Sequence, residues 1–272
     1  MTTESTPRPD ALAPATGDRT ARLGEILREI ATGGLAGLIA GLVVGGVGGR
    51  LVMRLAAILV PETTGLTTEN GNRIGAITPE GTILLVIFGG LLSGVVAGGI
   101  WVVIRPWLPP ARGRRALASV PIALAFATPL LIEGDNVDFA ILGRDPVVIS
   151  ALLALVAMAG PAIVLVDDWL AHRLPAASHR AALVVYVLIT AVGLLFTMFI
   201  TVPALVQSAS AIVLLAIVGV GIATLLRWAG RLEGRSAPSA TLERIARAAL
   251  VAAVALGLGT TALDVLGALG LR

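Results

Sequence analysis

Residues 33–49 read GGLAGLIAGLVVGGVGG. Gly33, Gly37, Gly41, Gly45 and Gly49 recur at every fourth position, and the residues between them are Leu, Ile, Val, Ala or further Gly. Residues four apart share a helix face, so this spacing predicts a helix with a side-chain-free groove along one side. Such a helix has no polar face for water. It suits hydrocarbon, where small residues let two helix backbones approach closely. Gly90, Gly94 and Gly98 repeat the device in the next apolar run. The pattern predicts that these two runs pack seam to seam, as a glycine zipper. Homo-oligomerisation and a sliding helix pair in a gated pore are the rival uses of the same seam.

The whole chain agrees with this beginning. Of 272 residues, 56% are hydrophobic and 14% charged, with mean hydropathy +0.93. Soluble domains are about 25% charged, so a water-soluble globule and a disordered chain are excluded. A span needs about 20 apolar residues to cross about 30 Å of hydrocarbon. Seven runs qualify, near 32–52, 82–104, 116–133, 147–167, 182–203, 209–227 and 247–268, the third interrupted by Pro121 and Pro129. The expected fold is an all-α polytopic transmembrane helical bundle of about seven spans. Asn70-Gly71, a hairpin signal, predicts a small outer hairpin loop between spans one and two. Residues 1–21, with Pro7, Pro9 and Pro14, read as a disordered cytoplasmic tail, and residues 22–272 as the membrane domain. From Arg22 to Ile30 the periodicity is helical, either an interfacial helix or an extension of the first span.

All 20 basic residues are Arg. Arg, unlike Lys, can be coded by GC-only triplets, which suggests a GC-rich bacterial genome. Without Lys there is no Schiff-base chemistry, and with zero Cys there is no disulfide or thiolate ligand. With the N-terminus inside, fifteen arginines fall on cytoplasmic segments and five (Arg50, Arg54, Arg73, Arg144 and Arg272) on outer ones. That obeys the positive-inside rule and predicts a multi-pass protein of the bacterial cytoplasmic membrane. Its expected partners are the bilayer and anionic lipids at the cytoplasmic face. Arginine is spread among loops without aromatic interleaving, so nucleic acid is not an expected partner.

Few polar groups ask for more. Arg50 and Arg54 are one turn apart, directly after the seam. An unbroken helix from Thr32 to Val60 would be about 43 Å long, more than the hydrocarbon needs. Two readings stand: a break at Gly48-Gly49 with both arginines snorkelling outward, or both pointing into the bundle. In the second they need acids, and Glu133, Asp135, Asp138 and Asp264 complete the candidate polar cluster. On the other side, Asp168 and His172 are spaced for one helix face, yet Pro175 separates them from His179 and no metal site is predicted. Trp101, Trp107, Trp169 and Trp228 sit near span ends and read as interfacial anchors. No phosphate loop, dinucleotide fingerprint or triad appears, so no catalytic residue and no cofactor is expected.

The runs GGRLVMRLAA, ENGNRIG and DNVDF together resemble a group of uncharacterised multi-span membrane proteins from GC-rich bacteria, over about residues 33–170. The resemblance implies a helical bundle in the cytoplasmic membrane and brings no catalytic residues. The function expected is that of a non-enzymatic assembly or envelope-sensing component. A small-solute transporter or channel is the first alternative, and a lipid-headgroup-binding intramembrane enzyme the second.

Overall fold

The computed structural model describes residues 16–66, 75, 78–132, 145–203, 211–235 and 237–271. Every regular element among them is helical, and six helices are long and apolar enough to cross a membrane. The chain is an all-α polytopic bundle. The hairpin expected at Asn70-Gly71 lies outside the described residues.

The first column runs without a break. Helix α1 (Thr16–Ala40) passes through a π-helical stretch, Gly41–Gly48, into α2 (Gly49–Leu59). Gly49 keeps helical angles (φ −57°, ψ −40°), so the break considered at Gly48-Gly49 is absent. The helix also starts at Thr16, inside the stretch read as a tail. The second column has the same build. Helix α3 (Pro79–Leu85) passes through the π-helical stretch Val86–Leu92 into α4 (Ser93–Ile104), and the two π stretches pack on each other.

The glycine spacing explains where these wide turns fall. In an α-helix four residues turn about 400°, so a strict four-residue stripe drifts by about 40° per repeat. A π turn closes its hydrogen bonds over five residues and turns less per residue. The drift shrinks, and Gly41 and Gly45 stay aimed at the same neighbour. Ser93 Oγ donates to two carbonyls of the second stretch, Gly89 O and Gly90 O.

Local capping sets the later starts. Thr78 and Asp145 each precede a proline and accept from backbone N–H groups, Gly81 N at 3.1 Å and Val147 N at 2.7 Å. A side-chain acceptor at the cap followed by proline in the first turn is a favoured helix start. The remaining helices are α5 (Arg112–Leu131), α6 (Pro146–Arg173), α7 (Arg180–Phe196), α8 (Ala211–Leu232) and α9 (Ala240–Ala268), the last capped by Ser239. Pro121 sits within α5 without ending it.

Packing links α1 to α4, α4 to α8, α8 to α9, α9 to α5, α5 to α6, and α6 back to α1. This circuit is closed, and its interior is filled. Ala36, Ala40, Trp101, Phe126, Val164 and Val220 are buried in one continuous core. Trp101 and Trp107 are 2% and 3% exposed. They are core residues, not interfacial anchors, and the indole N–H of Trp107 finds Thr224 Oγ1 at 2.8 Å inside the bundle. Helix α7 stands outside the circuit, against α1, through Ala31, Ala177, Ala182 and Tyr186.

Candidate functional site

The two glycine-rich columns meet backbone to backbone. A Cβ at Gly37 would lie 2.7 Å from Gly94 O and nearer still to Gly98 Cα, and one at Gly41 would lie 2.5 Å from Gly90 O. In return, a Cβ at Gly94 would lie 2.9 Å from Gly37 O, and one at Gly98 2.8 Å from Gly34 O. A Cβ at Gly45 would strike Gly89 O. At the ends of the stripe the fit loosens. Gly33 faces the side chain of Val102, and Gly49 only the side chain of Leu85 at an ordinary 3.5 Å.

Two further close approaches carry no periodic signal. A Cβ at Gly160 on α6 would lie 2.8 Å from the Ser119 carbonyl carbon, and one at Gly257 on α9 would lie 2.8 Å from Ala125 O. Helix α5 is thus held between two single glycines of its neighbours.

Arg50 and Arg54 mark one end of the bundle. Arg50 Nη2 donates to Thr82 Oγ1 (2.8 Å) and Thr78 O (3.3 Å), while Arg54 Nη1 donates to Gly75 O (3.2 Å). Both guanidiniums tie the segment before α3 to α2. Gly75 has φ +79°, the left-handed region that glycine enters at no steric cost. Arg50 Nε is buried without a hydrogen-bond partner. Of the acids expected beside them, Glu133, Asp135 and Asp138 lie outside the described residues, and Asp264 is half-buried in α9.

The other end is richer in arginine and is organised by carboxylates. Asp167, 1% exposed, accepts from Arg105 Nη1 at 3.0 Å. Its neighbour Asp168 lies 3.3 Å from Arg112 and 3.6 Å from Arg115. Glu29 accepts from Arg231 Nη1 at 2.7 Å. Arg28 donates to the last carbonyls of α6 and its exit, Ala171 O at 2.6 Å, Leu174 O at 3.2 Å and Pro175 O at 3.1 Å. Those are the groups a helix C-terminus leaves unsatisfied, and a cation suits that end of the dipole. Tyr186 adds an O–H donor to Pro175 O at 2.6 Å. His172 Nδ1 donates to Asp168 O at 2.6 Å. Asp168 and His172 therefore both have protein partners, and among the described residues no group of three His, Cys, Asp or Glu gathers.

Sequence spacing pairs Asp168 with His172 and reveals neither Asp167 nor its arginine partner. The available signal was a buried-side acid at the last turn of an apolar run, with Arg105 closing another run at the same bundle end.

Hydroxyl groups within the helices turn mostly onto carbonyls. Thr224 Oγ1 lies 2.8 Å from Val103 O and 3.0 Å from Val220 O, Thr197 Oγ1 donates to Gly193 O, Thr260 Oγ1 to Gly257 O, and Thr261 Oγ1 to Leu124 O across the α9–α5 contact. Comparison with protein-family models, with curated proteins and with solved structures finds no match.

Proposed function

We propose that the chain is a non-enzymatic component of the bacterial cytoplasmic membrane, which assembles with or responds to other components of the envelope. In this reading α5 also crosses, giving seven spans, with the N-terminus and the arginine-rich end in the cytoplasm. The observation that carries it is the filled interior of the helix circuit. A transporter needs a polar path near the midplane, lined by groups free to meet a solute. Here Trp101, Phe126, Val164 and Val220 occupy the centre, and Thr197 and Thr224 are turned onto helix carbonyls. Parting the first column from the second would break the Gly37–Gly98 and Gly41–Gly94 contacts, where backbone meets backbone. The same contacts occupy the glycine seam within one chain, so a second copy would use another face.

The test is reconstitution. Liposomes holding the purified chain should retain a small anionic dye and a proton gradient as long as protein-free liposomes do. Cysteine-accessibility tags should place residue 1 inside and residue 272 outside in whole cells. In mild-detergent extracts of native membranes, the chain should migrate in a complex larger than the purified protein. Sustained solute flux through reconstituted protein overturns the reading in favour of transport, and both termini on one face overturns seven spans.

A further inference from the structure

At the arginine-rich end, four guanidiniums face one cavity of about 250 Å³. Arg105 closes the second column, Arg115 opens α5, and Arg227 and Arg231 come from α8, with Glu29 of α1 and the indole of Trp228 completing the wall. Glu29 is the one carboxylate in that lining. Asp167 and Asp168 hold Arg105 and Arg115 but do not line the space. Asp167, Asp168 and Glu29 balance three of these charges, and among the described residues no ion pair balances Arg227, whose charge attracts an anion.

We propose that this cavity binds a phosphate group. Three features select that chemistry. First, donors remain available, fewest on Arg115, whose Nε and Nη2 already donate to Pro109 O at 3.2 Å and Pro110 O at 2.9 Å. Arg105 and Arg231 each meet their carboxylate through Nη1, and a guanidinium carries five N–H donors. Arg227 is held otherwise, its Cζ 5.7 Å from the centre of the Trp107 ring, a contact that fixes the side chain without using its fork. Second, the donors come from three separate helices. A planar carboxylate is matched by one fork, whereas a tetrahedral oxyanion offers oxygens to several at once. Third, the space is small. It lies just under the range of about 300–1,000 Å³ that whole drug-sized ligands occupy, which suits a headgroup or a free anion.

The phosphate can belong to a lipid headgroup or to a soluble phosphoester. A basic pocket between helices at the cytoplasmic surface is a recurring headgroup site, and that source rests on the membrane reading above. The pocket itself does not. Binding is measured apart from flux and topology, so either claim can fail alone.

The experiment follows the melting midpoint of the purified full chain in neutral detergent. One arm titrates phosphatidylglycerol against a phosphate-free glycolipid, and the other titrates inorganic phosphate against chloride at matched ionic strength. A saturable rise in one phosphate arm is expected, with no rise in its control. Arg227→Gln should raise the half-saturating concentration about tenfold, while Arg244→Gln, at the same end but outside the cavity, should change it by less than about twofold. If Arg227→Gln does not fold, Arg227→Lys keeps the charge, loses the fork and should raise it about threefold. Saturation by phosphatidylglycerol alone assigns a lipid headgroup, and saturation by inorganic phosphate assigns a soluble phosphoester. Equal shifts from the Arg227 and Arg244 variants, or no saturation in either arm, overturn the proposal.

Discussion

Helices α1 and α7 are neighbours, and the more apolar of the two is the less buried. The column containing α1 has a best-window mean hydropathy of 2.0 and 39% of that window is buried, whereas the column containing α7 reaches 2.5 with 6% buried. Hydrocarbon is as apolar as leucine, so oiliness decides entry into the bilayer and says little about contact between helices. Contact is decided by where bulk is missing. The column that α1 opens lacks it at Gly37 and Gly41, and meets another backbone there. Helix α7 presents Val184, Leu188, Leu194 and Leu195 outward and touches the body with Ala182 and Tyr186.

The sharpest way to break this comparison is a single methyl group on the seam. Gly37→Ala should cost about 3 kcal/mol or more, because the added carbon meets backbone that cannot rotate away. The readout is loss of the monodisperse peak and of the melting transition in mild detergent. A stable Gly37→Ala protein would mean that the columns do not touch.

Asp167→Asn asks how much polar anchoring adds beside the seam. It leaves Arg105 without its carboxylate at a site where the guanidinium is 26% exposed. The expected loss is about 1–3 kcal/mol, below that of a fully buried pair, read as a lower melting midpoint. Arg105→Leu combined with Asp167→Leu should recover part of it.

Tyr186→Phe probes the thin tether of α7. It removes the hydrogen bond to Pro175 O and should cost about 1 kcal/mol. Local unfolding should appear as faster proteolysis between α6 and α7, with the main transition moved little. Smallest of all, and opposite in sign, is Gly193→Ala on α7. Nothing lies within 4 Å of the added carbon, so helix propensity should stabilise by about 0.5 kcal/mol. The same chemical change is then tolerated on one helix and disruptive on its neighbour.

Sequence spacing made much of this visible. Six helices long and apolar enough to cross were legible because hydrocarbon thickness fixes their length, and the α1–α4 pairing because repeated glycine leaves a stripe. The partners of α5 were not legible, since Gly160 and Gly257 are isolated and acquire meaning only beside Ser119 and Ala125. Oxygens of Thr78, Thr82 and Gly75 take the described hydrogen bonds of Arg50 and Arg54, and three of the acids read beside them, Glu133, Asp135 and Asp138, lie outside the described residues. The pairing of Arg105 with Asp167 joins residues 62 apart, which periodicity within one helix cannot reveal.

The way α5 is held has a consequence for biogenesis. Its two intimate neighbours, Gly160 and Gly257, are both synthesised after it. On the seven-span reading, this segment leaves the ribosome before either of these surfaces exists, and α9, which completes its enclosure, is made only after α6, α7 and α8. Assembly from the first residue onward would therefore keep α5 waiting at the insertion machinery until α9 emerges. A chain truncated before α9 should be recognised as incomplete by membrane proteases.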